Sequence, residues 1–314
     1  MKMILDLDTG IDDALALAYA IGIPEIDLIG IVASYGNVML EDGARNTSSL
    51  LHMLGRSDIP VYNGAAHALM EESYSLHDVS KFIHGENGIG NINIPEVNPE
   101  SHTKDGVDFI IESVKKYGKD LVIVPTGPLT NLALALRKAP EIKELIGNVV
   151  FMGGALTVPG NISLLAEANI YHDAKAADEV FTSGIPLTMV GLDVTRRTVF
   201  TNKDTNDLRN LNTDKSRAYA DMTDYYISAY KKNEPELNGC ALHDPLAVAV
   251  AVMPDLVSTH SMFMRCGTTK EDYGRTIGDV SKLNDSNPNV KVCLNVDVER
   301  FTNHFKESLM EVLK

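Results

Sequence analysis

The chain is 314 residues long, 44% hydrophobic and 23% charged, with a formal net charge of −15. That length and apolar content supply a sizeable core and exclude a disordered chain. The acidic balance, with no block of Lys or Arg, argues against nucleic acid and anionic membrane as partners and favours cations. Cys240, Cys266 and Cys293 are few, odd in number and widely spaced, which fits reduced, buried thiols better than a disulfide frame or a zinc site. The first residues pass straight into a strand pattern with no leader-like segment, and no apolar run approaches a membrane span. The expectation is a cytoplasmic protein. No Ser/Gly linker and no internal repeat divides it, so one domain over 1–314 is expected.

Residues 2–7 are an apolar run of buried-strand type, and 14–20 are good helix formers. Asp6, Asp8, Asp12 and Asp13 crowd the turn between them. Such like charges repel unless something positive sits among them, and a helix N-terminus hardly balances four. A hard cation is the natural completion, because Ca²⁺ and Mg²⁺ prefer carboxylate oxygens. The plainer reading has Asp12 or Asp13 capping the helix, with Asp6 and Asp8 in solvent.

A second buried strand over 26–33 ends in Ser34-Tyr35-Gly36-Asn37, a helix follows at about 41–56, and 60–62 is a short strand. Strands alternating with helices argue for parallel βαβ units with right-handed crossovers. Residues 65–103 break the rhythm. Long irregular segments inside compact domains are commonly functional loops, and the glycines around His84-Gly85-Glu86-Asn87-Gly88 suit a close approach to ligand. A helix at about 104–117 leads to the strand 121–124, which runs into Thr126-Gly127-Pro128, with Pro128 in the first turn of the next helix. The strand 148–152 ends in Gly153-Gly154, a helix runs from Asp173 to about 182, and the strand 186–190 ends near Asp193. Helical pattern covers 213–232, and His243-Asp244-Pro245 opens an apolar helix reaching Met253. Strand patterns near 257–265 and 290–296 precede a helix over 298–313. The fold class is α/β, an open, mostly parallel central sheet with helices on both faces. Its strands end, on their C-terminal side, in oxygen ligands and hydrogen-bonding groups, the edge where such sheets bind ligands.

Asp6-Leu-Asp8-Thr9-Gly10-Ile11-Asp12-Asp13-Ala14 resembles the opening motif of the inosine-uridine nucleoside hydrolases. The resemblance spans the chain through Gly36-Asn37, His84-Gly85-Glu86-Asn87-Gly88, Gly127-Pro128-Leu129-Thr130-Asn131, Met152-Gly153-Gly154, Gly160-Asn161, Glu167-Ala168-Asn169, His243-Asp244-Pro245 and Val296–Phe301. The first motif and the His-Asp-Pro motif are specific, and their joint order makes chance unattractive. The resemblance implies the Rossmann-like fold of that family. It also implies Ca²⁺-dependent hydrolysis of the N-glycosidic bond of purine or pyrimidine ribonucleosides, giving ribose and free base, in a homodimer or homotetramer.

Carried over by residue, the resemblance assigns Ca²⁺ to Asp8, Asp13, Asp244 and the carbonyl of Thr126. It assigns proton removal from the attacking water to Asp8. Asp12 and Asn169 would hold the ribose hydroxyls, Asn161 and Glu167 the 5′-hydroxyl, and Asn37 and Met152 the ribose side. The chemistry suits these types: an oxocarbenium-like sugar is stabilised by carboxylates, and a departing base needs a proton. His243, expected to titrate near neutrality, is the candidate acid, with His84 a second base contact and Tyr226 and Tyr230 covering the base. His52, His67, His77, His102, His172, His260 and His304 lack a partner pattern and are read as structural.

Three departures stand out. Thr9 replaces the family's usual Pro, Ala168 stands where Phe is common, and Arg196 where His is common. Without Trp, the purine-specific subgroup that stacks the base between tryptophans fits less well than the less selective, His-bearing one. Two rivals remain. Asp6-Leu-Asp8-Thr9 resembles the start of haloacid dehalogenase-type phosphatases, but Gly10 breaks that pattern and Asp12-Asp13 go unexplained. A non-catalytic nucleoside or ribose binder would keep the pocket and lose turnover.

Overall fold

The computed structural model describes residues 1–98 and 105–314. His102 and the expected start of a helix at 104 lie outside them.

In chain order, β1 (Lys2–Leu7), α1 (Ile11–Gly22), β2 (Asp27–Ala33), α2 (Leu40–Met53) and β3 (Val61–Asn63) form the first βαβ series. Next come α3 (Asp78–His84), α4 (Gly106–Tyr117), β4 (Leu121–Pro125), α5 (Thr130–Lys138) and β5 (Asn148–Met152). They are followed by α6 (Ala168–His172), α7 (Ala174–Thr182), β6 (Leu187–Val190) and α8 (Leu192–Thr195). A ribbon of β7 (Val199–Phe200) and β8 (Cys240–Ala241) brackets α9 (Asn202–Arg209) and α10 (Asp214–Asn233). The chain closes with α11 (His243–Val252), β9 (Val257–Met262), β10 (Met264–Cys266), β11 (Thr276–Gly278), β12 (Val290–Val296) and α12 (Val298–Leu313).

Eight strands form the central sheet in the order β3-β2-β1-β4-β5-β6-β12-β9. All neighbours are parallel except β12 and β9. Parallel strands are covered on both faces, which is why β1 reads as an unbroken apolar run. Its alternation divides that run: Met3, Leu5 and Leu7 join the core built with α1, α11 and α12, whereas Ile4 joins the core under α4, α5 and α7. Asp6 shares the side of Ile4 and meets Asn131 of α5. On the other face α12 packs on α1. The rings of Phe301 and Phe305 sit 6.4 and 5.2 Å from that of Tyr19, whose hydroxyl bonds His304 Nδ1 at 2.7 Å.

The expected fold class is the one observed. Two local readings change. The pattern near 257–265 is two strands in different sheets, β9 on the main edge and β10 paired with β11. The irregular stretch after residue 64 contains a helix, α3, whose seven residues are too few to show a helical period.

The strand order matters for the site. The chain steps outward from β1 through β2 to β3, then returns to the other side of β1 with β4. This topological switch opens a crevice beyond the carboxyl ends of β1 and β4, where open α/β sheets bind ligands.

Candidate active site

A cavity of about 530 Å³ opens at that crevice. Its lining includes Asp12, Asn37, His84, Thr126, Met152, Asn161, Glu167, Asn169, Tyr226, Tyr230, His243 and Asp244. Asp8 and Asp13 lie fully buried beneath it. The structure therefore brings to one place the residues to which the sequence assigned metal, ribose, base or catalytic roles.

The floor is carboxylate. Oxygens of Asp12, Asp13 and Asp244 lie within 4.8 Å of one another. Asp8 stands beside this group, held by Asn37: its Oδ2 accepts from the Asn37 backbone N–H at 2.7 Å and its Oδ1 from Asn37 Nδ2 at 3.2 Å. The expected ligand set had Asp8 in and Asp12 out, but in this structure Asp12 is in the tightest group. Asp13 accepts from Thr126 Oγ1 at 2.6 Å and from the Gly10 N–H at 2.8 Å. Burial raises all four carboxyls, and neighbouring carboxylates add to the rise of Asp8, Asp13 and Asp244. Asp12 and Asp13 are pushed up to about 6. Asp12 Oδ1 and Asp244 Oδ2 are buried without a hydrogen-bond partner. Among the described residues no Lys or Arg pairs with any of the four; the nearest basic group is His84, 3.9 Å from Asp12. Buried anions with orphaned oxygens and no cationic side chain fit a hard divalent cation.

Glycine makes this crowding possible. Gly36 has φ +148°, and a Cβ there would overlap the Asp8 carboxylate. A Cβ at Gly10 would lie 2.6 Å from His84 Nδ1.

Asn169 spans the floor, donating to the Thr126 carbonyl at 2.6 Å and to Met152 O at 3.2 Å. Glu167 caps α6: its oxygens accept from the backbone N–H groups of Gly154 and Asn169 at 2.9 Å and Ile170 at 3.2 Å. Asn161 Oδ1 accepts from the Ala168 N–H at 2.9 Å, which leaves its amide N–H₂ for a ligand.

At the other end, His84 Nδ1 accepts from the Ile11 N–H at 3.1 Å, so a neutral His84 carries its proton on Nε2. Its ring stacks on Tyr226, 5.5 Å apart and inclined 30°. The Tyr226 hydroxyl donates to Asp12 Oδ2 at 3.2 Å. His243 is gripped on both nitrogens, by Thr195 Oγ1 at 2.7 Å and the Tyr230 hydroxyl at 2.6 Å. Burial, helped by the charge of Arg196, pushes His243 down to about 3. A buried imidazole resists charging, so His243 is held below the near-neutral range expected for it.

Some contributors carried no sequence signal of their own. Thr195 and the side chain of Thr126 are single hydroxyls whose partners lie far along the chain. Asn131, which donates to Asp6 at 2.8 Å, stood inside a quoted motif without an assigned role. His172, read as structural, lines the cavity with both ring nitrogens buried and unpartnered, and its ring lies parallel to that of His77 at 5.6 Å. Glu86 stays out of the cavity, exposed and 3.6 Å from Lys81, while Asn87 shapes that turn by accepting from the N–H groups of Ile89 and Asn91.

Comparison with known proteins points one way. Residues 3–303 match the family described as inosine-uridine preferring nucleoside hydrolase. The chain is 34% identical over 317 residues to uridine nucleosidase 1 of Arabidopsis thaliana, covering 99% of this chain and 93% of that protein. It is 35% identical over 310 residues to the pyrimidine-specific ribonucleoside hydrolase RihA of Shigella boydii, covering 98% of each. Among solved structures it resembles a purine-preferring ribonucleoside hydrolase from Gardnerella vaginalis, with 52% identity, a TM-score of 0.98 and coverage of 100% and 99%.

Proposed function

We infer the chemistry from one premise: the chain belongs to the inosine-uridine preferring nucleoside hydrolase family, and so is an N-ribosylhydrolase acting on ribonucleosides. The finer reading is a Ca²⁺-dependent enzyme that places ribose over the carboxylate floor and the base against His84, Tyr226, Tyr230 and His243. The observation that carries it is the set of four buried carboxylates without a cationic side chain, directly beside a doubly held histidine.

Asp8, Asp13, Asp244 and the Thr126 carbonyl would hold the ion. When bound, Ca²⁺ supplies the positive charge the carboxylates lack and makes a nearby water more acidic. The chain's own residues do the rest. Asp8, fixed by Asn37, accepts the proton of the attacking water. Asp12 and Asn169 hold the 2′- and 3′-hydroxyls, so 2′-deoxynucleosides are poor substrates. Asn161 and Glu167 take the 5′-hydroxyl, with Asn37 and Met152 along the sugar. Negative charge around the sugar favours the oxocarbenium-like transition state. His243 and Tyr230, already hydrogen-bonded, form the donor side for the leaving base; with both ring nitrogens engaged, a neutral imidazole passes a proton between its partners and Tyr230 presents it to the base.

The preferred substrates are purine ribonucleosides, with pyrimidine ribonucleosides also cleaved. Identity to the purine-preferring Gardnerella protein, at 52%, exceeds the 34–35% to the uridine- and pyrimidine-named relatives. The stacked His84 and Tyr226 offer an aromatic surface for a base without any Trp. The active form is a homo-oligomer by family likeness.

Ribose release from inosine, guanosine, adenosine, uridine and cytidine, with Ca²⁺ and with EDTA, tests this. Release that needs the ion and is fastest with purines is expected. Release from none would leave a nucleoside binder, and full activity in ion-stripped enzyme would remove Ca²⁺. No turnover of p-nitrophenyl phosphate is expected.

A further inference from the structure

The base end holds a charged group that the reaction as described leaves unused. Arg196 follows α8 and lines the cavity beside Tyr230 and His243. Its Nη2 lies 2.7 Å from Glu234, which follows α10, and the two side chains are 29% and 32% exposed. A guanidinium carries five N–H donors and no acceptor. Among the described residues Glu234 is its one side-chain partner, so most of the fork remains for a ligand. The neighbouring polar groups are committed. Both nitrogens of His243 are taken by Thr195 and Tyr230. Lys232, the other cation of the lining, sits 5.4 Å above the Phe82 ring.

We propose that Arg196 is a specificity-determining residue, whose guanidinium donates to the exocyclic oxygen of the base and so favours 6-oxopurine nucleosides over 6-aminopurine nucleosides. This rests on the hydrolase reading, with the base at this end of the cavity. A keto oxygen only accepts and an exocyclic amine mainly donates, so a donor-only residue pairs with inosine or guanosine and leaves adenosine unpaired. An unpaired polar contact in a partly desolvated site is what separates such substrates. The contact also grows along the reaction. As the C1′–N9 bond breaks, its electron pair goes to the base, and conjugation carries part of that charge onto O6. Water adds its hydroxyl to C1′, and its proton ends on a base nitrogen. A guanidinium on O6 therefore acts in kcat as well as in KM. Glu234 is a positioning residue that holds the fork.

The test compares kcat/KM for inosine, guanosine and adenosine in wild type, Arg196→Met, Arg196→Lys and Glu234→Gln. Arg196→Met keeps the side chain's length without its donors. It should lower the inosine and guanosine values by roughly 10- to 100-fold, the range of a charge-assisted hydrogen bond, and adenosine by less than about threefold. Arg196→Lys should fall between, and Glu234→Gln should shift the same ratio less. If Arg196→Met folds poorly, Arg196→Gln gives the same reading, since its amide can donate or accept and should bring the ratio towards unity. Equal losses for inosine and adenosine, or none, would overturn the assignment while wild-type turnover leaves the hydrolase reading intact. No release by wild type from any nucleoside removes both.

Discussion

At the end of the cavity proposed for ribose, polar groups are fixed by strand ends and the turns beyond them; at the end proposed for the base they are fixed by helix termini that single side chains tie together. Asp8 lies just past β1 and Thr126 just past β4, and Asn169 bridges the carbonyls of Thr126 and Met152. Around them glycine permits contacts that no other residue would allow. The base end instead joins the last residue of α3, the C-terminal half of α10 and the first residue of α11. Its ties include Tyr230 to His243, Lys232 over Phe82 and the half-exposed pair Arg196–Glu234. Geometry set by a hydrogen-bonded sheet changes little with one side chain, whereas geometry set by pairwise ties changes with each. The floor should thus decide whether a ribonucleoside is cleaved, and the mouth which one.

The largest effect should come from the floor. Asp8→Asn keeps the shape and removes the base, and should cut kcat by about 10³- to 10⁴-fold. The loss should be the same for inosine and uridine in steady-state assays; a tenfold difference between them would break the division. Next is removal of the ion. Asp12 and Asp13, pushed up to about 6 from an ordinary 3.8, favour protonation in the ion-free fold. Raised carboxyl values cost the ion-free protein stability as pH climbs from about 4 to about 6, and the full cost persists above. Ca²⁺ at the proposed site would displace the proton of its ligand Asp13, so its stabilising effect should grow as pH rises through about 6. Thermal melts with Ca²⁺ and with EDTA between pH 5 and 8 measure this, and a shift independent of pH would count against the cluster as the binding site.

Smaller effects belong to the mouth. His243→Ala should lower kcat by roughly 10- to 100-fold, less than Asp8→Asn and unequally among bases, because leaving groups differ in their need for a proton. A loss equal for every nucleoside would move His243 to the floor's category. Tyr226→Phe removes one hydrogen bond to Asp12 and should cost about threefold to tenfold. As a control, Asp255→Ala breaks an exposed pair with Arg300 and should move neither activity nor melting midpoint measurably.

The same contrast explains what could be read from the chain. The floor is written in contiguous motifs, since strand, turn and helix start are sequence neighbours: four aspartates between a strand and a helix announce themselves. The parallel sheet follows from apolar runs alternating with helical stretches. The mouth is written in scattered single residues. Nothing in Thr195 says that it will meet His243, and only the family resemblance, not its own surroundings in the sequence, marks Tyr230 among the tyrosines of α10 until the helix is packed. The protonation of His243 is hidden from the sequence for the same reason. Its sequence neighbours are visible, but its burial depends on contacts across the fold.

The packing of α12 against α1 has a consequence for how the fold is assembled. The acidic turn precedes α1, yet Thr126, Asn169 and Asp244 lie far along the chain from it, and the rings that close over Tyr19 lie farther still, in α12. The cavity therefore rests on contacts of high sequence separation, which form only after long stretches of chain have closed into loops. Long-range pairing of this kind makes folding slow compared with a chain held by local contacts.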